Sequence, residues 1–155
     1  MSSALDPQAL AGKLKSKKVL LMAGQLCEEI DFGGKTLSDY VIEISNKLNA
    51  PIAATGNTPK PLKEKGANNV RKMFAGEIIN YMRWKWEDPV IDSKPEVLVF
   101  IGYGPSPAQC MASAVTDGET MVLGSTCVEG ATYSLPESSS FGQWQKSLDA
   151  LVKAL

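Results

Sequence analysis

The sequence predicts a single α/β domain, in which a mainly parallel sheet carries helices on both faces. Two observations predict it: short apolar runs of strand length alternate with amphipathic segments of helix length, and each run is followed by glycine. The chain has 155 residues, and a chain of about this size buries roughly 68–70% of the surface that its unfolded form exposes. One domain with a substantial core is therefore expected.

The chain is expected to begin with an N-terminal helical arm over residues 1–17, followed by the α/β domain over residues 18–155. Asp6 and Pro7 suit the cap and the first turn of a short helix in this arm.

The first strand is predicted at residues 18–23, an apolar run that ends at Gly24 and is typical of a strand buried on both faces. After a loop, Thr36 and Asp39 have the spacing of a capping box at the start of a helix. Apolar side chains then recur at helical spacing: Leu37, Tyr40, Val41, Ile44 and Leu48. Strand, loop and helix in this order begin a βαβ unit.

The same alternation continues to the end of the chain. Further strands are predicted at residues 50–55, 96–101 and 120–123. Helices are predicted around Ile78, from an N-cap at Ser106 with Pro107 to Val115, and from a cap at Ser140 to the C-terminus. We interpret the whole pattern as a Rossmann-like domain with right-handed crossover connections.

The composition excludes several classes of function. The chain contains no histidine, which rules out a Ser-His-Asp triad and a Cys-His pair. Its 16 Lys and Arg residues balance 17 Asp and Glu residues, so the general attraction to nucleic acid is missing. No apolar run is long enough to cross a membrane or to serve as a signal peptide. A cytoplasmic protein without nucleic-acid or membrane partners is expected.

The three cysteines, Cys27, Cys110 and Cys127, are scattered and include no Cys-x-x-Cys pair. A disulfide framework or a four-cysteine metal site in this chain is therefore not expected. Cys110 is expected to be a small buried side chain, because it lies in an apolar helix pattern. Cys27 follows a strand and precedes two glutamates, whose charges raise the pKa of a thiol and lower its reactivity.

The strand-ending glycines mark a candidate cofactor site. In a parallel sheet these turns share the carboxyl edge, where open α/β folds bind ligands. The candidate cofactor-binding residues are Gly24, Gln25, Thr55, Gly56, Asn57, Gly102, Tyr103 and Gly104. The chain has neither a Gly-x-Gly-x-x-Gly motif nor a P-loop. Two interpretations stay open: a bound nucleotide or flavin, or turns that serve the fold alone.

Two other segments are candidates for contact with a partner. Residues 60–66, with Arg71 and Lys72 after them, form a basic cluster that is either a solvated loop or a contact for an acidic partner. Packing in the core is one interpretation of Trp84 and Trp86, but they are two residues apart and cannot both face the core from one helix. At least one of them is expected to be exposed. An exposed tryptophan is typical of a residue that contributes strongly to binding at a protein interface.

Three segments resemble the central, Rossmann-like domain of thiamine-diphosphate enzymes: residues 18–24, 48–55 and 95–102. More narrowly, residues 10–155 are similar to the epsilon subunit of the archaeal carbon monoxide dehydrogenase/acetyl-CoA decarbonylase/synthase complex. The best match is the heptapeptide Ala50-Pro51-Ile52-Ala53-Ala54-Thr55-Gly56, supported by the length and the order of the strands.

The resemblance implies a subunit without catalytic residues or metal ligands of its own. Its partner would be the alpha subunit, which carries the nickel–iron–sulfur cluster, in an alpha-two/epsilon-two assembly within a larger complex. Two roles are implied, stabilising the alpha subunit or assisting electron transfer to FAD, and two epsilon chains are candidates to pair as a homodimer.

One departure bears on the cofactor. In the relatives the first strand runs into a Gly-x-Gly turn, whereas here Gln25 and Leu26 follow Gly24. A side chain at the position of the second glycine would point toward a bound pyrophosphate. The alternative function is a small stand-alone flavin- or nucleotide-binding protein, and an independent enzyme that uses Cys27 or a carboxylate is a further alternative.

Overall fold

A computed structural model describes residues 3–55, 58–67, 69–87 and 93–155. Within these residues seven strands form a single sheet in which every neighbouring pair is parallel. The strands are β1 (Ser3–Ala4), β2 (Val19–Ala23), β3 (Ile52–Ala54), β4 (Val70–Lys72), β5 (Val97–Ile101), β6 (Glu119–Val122) and β7 (Tyr133–Ser134).

The described ranges contain seven helices, which alternate with the strands along most of the chain. They are α1 (Pro7–Leu14), α2 (Leu26–Glu29), α3 (Leu37–Leu48), α4 (Pro59–Glu64), α5 (Ala75–Arg83), α6 (Pro105–Ala114) and α7 (Phe141–Ala154). The predicted single α/β domain with a parallel sheet is confirmed.

The order of the strands across the sheet is β1-β7-β6-β5-β2-β3-β4. Counted from β2, this is the order of a doubly wound sheet, in which the chain first builds outward on one side and then crosses to the other. The crossing places β5 beside β2, with Val19 opposite Val97 and Ala23 opposite Ile101. The topological switch point therefore lies between the carboxyl ends of β2 and β5.

The sheet separates two hydrophobic cores. Successive residues of a strand point to opposite faces, so Leu21 of β2 packs with Tyr40 and Leu148 on the side of α1, α3 and α7. Met22 packs with Ile78 on the side of α5 and α6. Because all five residues of β2 and of β5 are buried, the continuous apolar runs of the sequence correspond to strands covered on both faces.

Three of the four helix starts that the sequence predicts at polar caps are confirmed. The Asp6 carboxylate accepts a hydrogen bond from the Ala9 backbone N–H at 2.8 Å. Thr36 and Asp39 form the predicted capping box, because each accepts from the backbone N–H of the other, at 3.3 and 2.8 Å. Ser140 begins α7 in the same way.

The predicted N-cap at Ser106 is wrong. The structure places the N-cap of α6 at Gly104, with Pro105 as the first helical residue. The reason is that proline at the first position has its φ angle preset for a helix and needs no hydrogen bond for its nitrogen. Ser106 is therefore already inside the first turn.

The N-terminal segment completes one edge of the sheet. Strand β1 pairs with β7 through Ser3 and Tyr133, and the Leu10 and Leu14 side chains of α1 are fully buried in the core that also contains α7. No helix within the described ranges is long and apolar enough to span a membrane.

A half-buried ion pair between Lys17 and Glu119 provides a test of the fold by pH. Glu119 accepts side-chain hydrogen bonds from Lys17 and Tyr133, which hold the pKa of its carboxyl group below the usual range. In the unfolded chain the pKa of the Glu119 carboxyl group is about 4.3. Above that pH the ionised Glu119 contributes fully to the stability of the folded protein, and this contribution is lost as the pH falls through the lower pKa of the folded state. Glu119→Gln should lower the free energy of unfolding at neutral pH by up to about 1 kcal/mol.

The measurement is urea unfolding of both proteins over a series of pH values. The difference between them should shrink as the medium becomes acidic. Glu129→Gln, at an exposed position, is the matched control and should show no such trend. A difference for Glu119→Gln that does not change with pH would contradict the assignment.

Candidate functional site

The carboxyl ends of β2 and β5 meet directly at the switch point. The Gly24 backbone N–H donates to the Ile101 carbonyl at 2.8 Å, and the Leu26 N–H donates to the Gly102 carbonyl at 2.9 Å. The structure thus brings together Gly24 and Gly102, two of the residues predicted to bind a cofactor.

Both glycines are required by the packing of these two turns. A Cβ atom on Gly24 would lie 2.4 Å from the Gly102 carbonyl oxygen. Gly102 has a φ angle of +85°, and a Cβ atom there would lie 2.3 Å from the Cys27 sulfur. Real side chains do not fit at such distances, and a positive φ is costly for any residue with a Cβ atom. The two turns occupy the space at the switch point themselves.

Tyr103 and Thr55 flank this contact. The Tyr103 ring packs edge-on against Phe100 at 5.9 Å between ring centroids. Burial raises the pKa of the Tyr103 phenol well above its usual range, and the nearby Thr55 side chain lowers this pKa by a smaller amount. The Tyr103 hydroxyl is buried and forms no well-directed hydrogen bond with the described residues. The Thr55 N–H donates to the Ala23 carbonyl at 3.1 Å, which fixes Thr55 beside the end of β2.

The other predicted site residues lie in different surroundings. Gln25 is exposed at the start of α2, and Gly104 caps α6. Gly56 and Asn57 lie outside the described residues. The structure therefore gathers Gly24, Gly102, Tyr103 and Thr55 around one point.

Cys27 lies beneath the two glycine turns and is fully buried. Its thiol donates to the Ile101 carbonyl at 3.4 Å. Burial is the main reason that the pKa of the thiol is raised to about 12. A hydrogen bond with the Gly24 backbone lowers this pKa, and the negative charge of Glu28 raises it further. The predicted loss of reactivity has burial as its main cause, with the glutamate charge secondary.

The prediction that Cys110 is buried is wrong, because this side chain is exposed. The buried face of α6 is formed by Ala108 and Ala112. Cys110 lies two positions from each of them, which at about 100° per residue puts it on the opposite side of the helix.

A flavin dinucleotide does not fit the described residues at this edge. The backbone N–H groups of Gly24, Leu26 and Cys27 already donate to carbonyl groups within these turns and β5, so they are not available to a pyrophosphate. The helix after β2 has four residues and carries Glu28 and Glu29 in its first turn, and their charges repel an anion where a phosphate would need attraction.

A pocket lies beside the switch point, at the carboxyl ends of β5 and β6. Its volume is about 90 Å³, well below the roughly 300–1,000 Å³ that is usual for sites of drug-sized ligands and cofactors. Helices α2, α6 and α7 and the turn after β6 form its wall. The lining residues are Leu26, Ile30, Gly102, Tyr103, Pro105, Ala108, Val122, Gly124, Ser125, Thr126, Val128, Phe141 and Trp144.

Two members of this wall, Phe141 and Trp144, come from α7. The sequence predicts the helix from the cap at Ser140 but does not connect it with a site. Trp144 is buried, but Phe141 is 54% exposed at the start of α7. The signal that could have indicated the site is Ser140, since a cap there places the first turn of α7 at the loop edge of the sheet.

An aromatic surface, defined by Phe74, Tyr81 and Trp84, lies on α5 and at its two ends. Trp84 is 81% exposed and Phe74 is 60% exposed, and Tyr81 is half-buried against Trp86 at 6.2 Å between ring centroids. Phe74 and Tyr81 are seven residues apart and so share one face of the helix. The prediction that at least one of the two neighbouring tryptophans is exposed is confirmed.

The basic cluster divides between structural and surface roles. Lys65 donates to Asp39 and to Thr36, both at 2.9 Å, and so supports the capping box of α3. Lys60 and Lys63 of α4 are exposed.

The described residues include no group of three or more His, Cys, Asp or Glu side chains that could hold a metal ion. No protein-family model matches the chain, and a search of curated proteins finds no match. The similarity to the epsilon subunit therefore stays a prediction from the sequence.

The glycine contact predicts a specific pattern of rescue. Gly102→Ala should lower the free energy of unfolding by about 2–5 kcal/mol, since it combines a strained φ angle with overlap. In a Cys27→Ala background the cost should be at least about 1 kcal/mol smaller, because the overlapping sulfur is gone. Gly24→Ala should gain no such relief, because its Cβ meets a backbone oxygen.

Chemical unfolding of the single and double variants measures these differences. Gly76→Ala is the control, because a Cβ there meets nothing within 4 Å and alanine favours the helix. Equal costs of Gly102→Ala in the two backgrounds would show that the turns are not packed as described.

The cysteines should differ sharply in reactivity. In the folded protein at mildly alkaline pH, iodoacetamide should modify exposed Cys110 and leave Cys27 intact, because a thiol with a pKa of about 12 forms little thiolate. Peptide mass spectrometry identifies the modified positions. Cys27 should react at the rate of a free thiol once urea unfolds the chain, and rapid native labelling of Cys27 would contradict its burial.

Proposed function

We propose that this chain is an accessory, non-catalytic subunit of the carbon monoxide dehydrogenase component of an acetyl-CoA decarbonylase/synthase complex. In this proposal it stabilises the alpha subunit in the cytoplasm, within an alpha-two/epsilon-two assembly. The observation that supports binding to a protein partner is the aromatic surface of α5. The identity of the partner is inferred from the sequence similarity.

The chemistry of the chain supports a non-catalytic role. The chain has no histidine, its buried thiol has a strongly raised pKa, and its described carboxylates and thiols form no metal-binding group. The imidazole that most often transfers protons or binds metals near neutral pH is thus missing, and the Cys27 thiol is inaccessible. A reaction at a nickel–iron–sulfur cluster would have to take place in another chain.

The aromatic surface supports a protein partner. An exposed tryptophan such as Trp84 keeps a large apolar area in water, and covering it removes that area from solvent. Tryptophan and tyrosine are enriched among the residues that dominate interface energetics. Glu77, Lys85 and Glu87 line the groove beside Trp84, which matches the usual arrangement of an apolar centre with a polar rim.

Trp84→Ala should weaken binding of the alpha subunit about thirtyfold, the effect of an interface residue worth about 2 kcal/mol. The measurement is co-purification of the two subunits under anaerobic conditions, followed by titration of the purified chains. Phe141→Ala is the matched control, because Phe141 is also an exposed aromatic residue but belongs to α7 and not to α5.

The possible results separate the two parts of the proposal. Failure of the unmodified chain to retain the alpha subunit would refute the assigned partner. Retention with equal affinity by the Trp84→Ala and Phe141→Ala variants would keep the partner but refute the aromatic surface as the point of contact.

A further inference from the structure

The pocket at the ends of β5 and β6 has properties that docking through α5 does not explain. Because α2, α6 and α7 enclose it together with the turn after β6, it is a recess built from distant parts of the chain. It lies at the carboxyl edge of a doubly wound sheet, where such folds bind their ligands. A partly enclosed apolar pocket with a few polar groups at this edge is the usual form of a small-molecule site.

The size of the pocket limits the ligand. An apolar protein cavity of about 150 Å³ is large enough to hold benzene. By proportion, a pocket of about 90 Å³ encloses roughly four non-hydrogen atoms, and because the pocket is only partly enclosed, a ligand of about five such atoms is still accommodated. The ligand that fits is a short-chain compound, far smaller than a nucleotide or a flavin ring.

The wall of the pocket also limits the charge of the ligand. No Asp, Glu, Lys or Arg is among the lining residues, and Leu26, Val122 and Val128 give it an apolar surface. An ion placed there would lose its hydration without gaining a partner of opposite charge, which is strongly unfavourable. A neutral molecule meets no such penalty.

Polar groups in the wall favour a ligand with one hydrogen-bond acceptor. Ser125 and Thr126 are half-buried, and within the described residues their hydroxyls take part in no hydrogen bond. Trp144 adds a buried indole N–H that has no acceptor in the described part of the chain. A buried donor without an acceptor is costly, so a wall of this kind suits a ligand that brings an acceptor with it.

We propose that this pocket binds a small, uncharged carbonyl compound, with the apolar body among Leu26, Val122 and Val128 and the oxygen toward the Ser125–Thr126 turn. The proposal does not depend on the alpha subunit, and its test uses the isolated full-length chain.

The probe is butanone, which has an apolar body, a carbonyl oxygen and no charge. In a proton–nitrogen correlation NMR spectrum, the indole signal of Trp144, assigned with Trp144→Phe, should shift and saturate as butanone is added. The expected affinity is in the millimolar range, as for other ligands of this size. The Trp84 indole signal, from the exposed α5 surface, should not shift in a saturable way.

Propionate tests the requirement for a neutral ligand, because it has the same number of non-hydrogen atoms as butanone and carries a negative charge. It should cause no saturable shift at the same concentrations. Saturation by propionate as strong as that by butanone would overturn the proposal, and so would the lack of any saturable Trp144 shift with butanone.

Two variants test the location. Ala108→Leu fills the pocket from α6 and should weaken butanone binding at least tenfold, whereas Gln109→Leu, at an exposed position on the same helix, should bind normally. Thr126→Val removes one hydroxyl at nearly constant shape and should weaken binding about fivefold. If Ala108→Leu does not fold, Thr126→Val decides the test, and unchanged binding by Thr126→Val would then refute the assigned position of the oxygen.

Discussion

The contact between the Gly24 turn and the Gly102 turn is the constraint on which the rest of the structure depends. Strands β2 and β5 are the centre of the sheet, and their ends converge because neither turn has a Cβ atom in the way. The convergence buries Cys27 under both turns. Backbone N–H groups of the kind that meet a pyrophosphate in other doubly wound sheets here donate to neighbouring carbonyl groups, and the pocket described above lies beside them, at the ends of β5 and β6.

The central elements of the fold could be predicted from the sequence because each combines two independent signals. Strand β2 is an apolar run closed by glycine, and α3 joins helical periodicity to a capping box at Thr36. The outer strands β1, β4 and β7 could not be predicted, since two or three residues are too few to show a period. Each of them pairs with a strand that is distant in the sequence. Ser3 of β1, for example, pairs with Tyr133 of β7.

The candidate site was predictable in position but not in detail. Parallel strands bring their carboxyl ends to one edge, so the proximity of Gly24 and Gly102 follows from topology. A glycine needed for close backbone packing looks the same in a sequence as one that binds phosphate, and the packing requirement at Gly24 and Gly102 is visible only in the structure. Trp144 joins the pocket from α7, and no local pattern connects it with the turn after β6.

The position of β4 has a consequence for solubility, since among the described residues it is the outermost strand on its side of the sheet. An edge strand offers backbone donors and acceptors to any other strand, which is a common route to aggregation. Lys72 of β4 is exposed, and a lysine on an edge strand disfavours pairing with a strand of another molecule. Extension of the sheet from one molecule to the next is thereby opposed on this side.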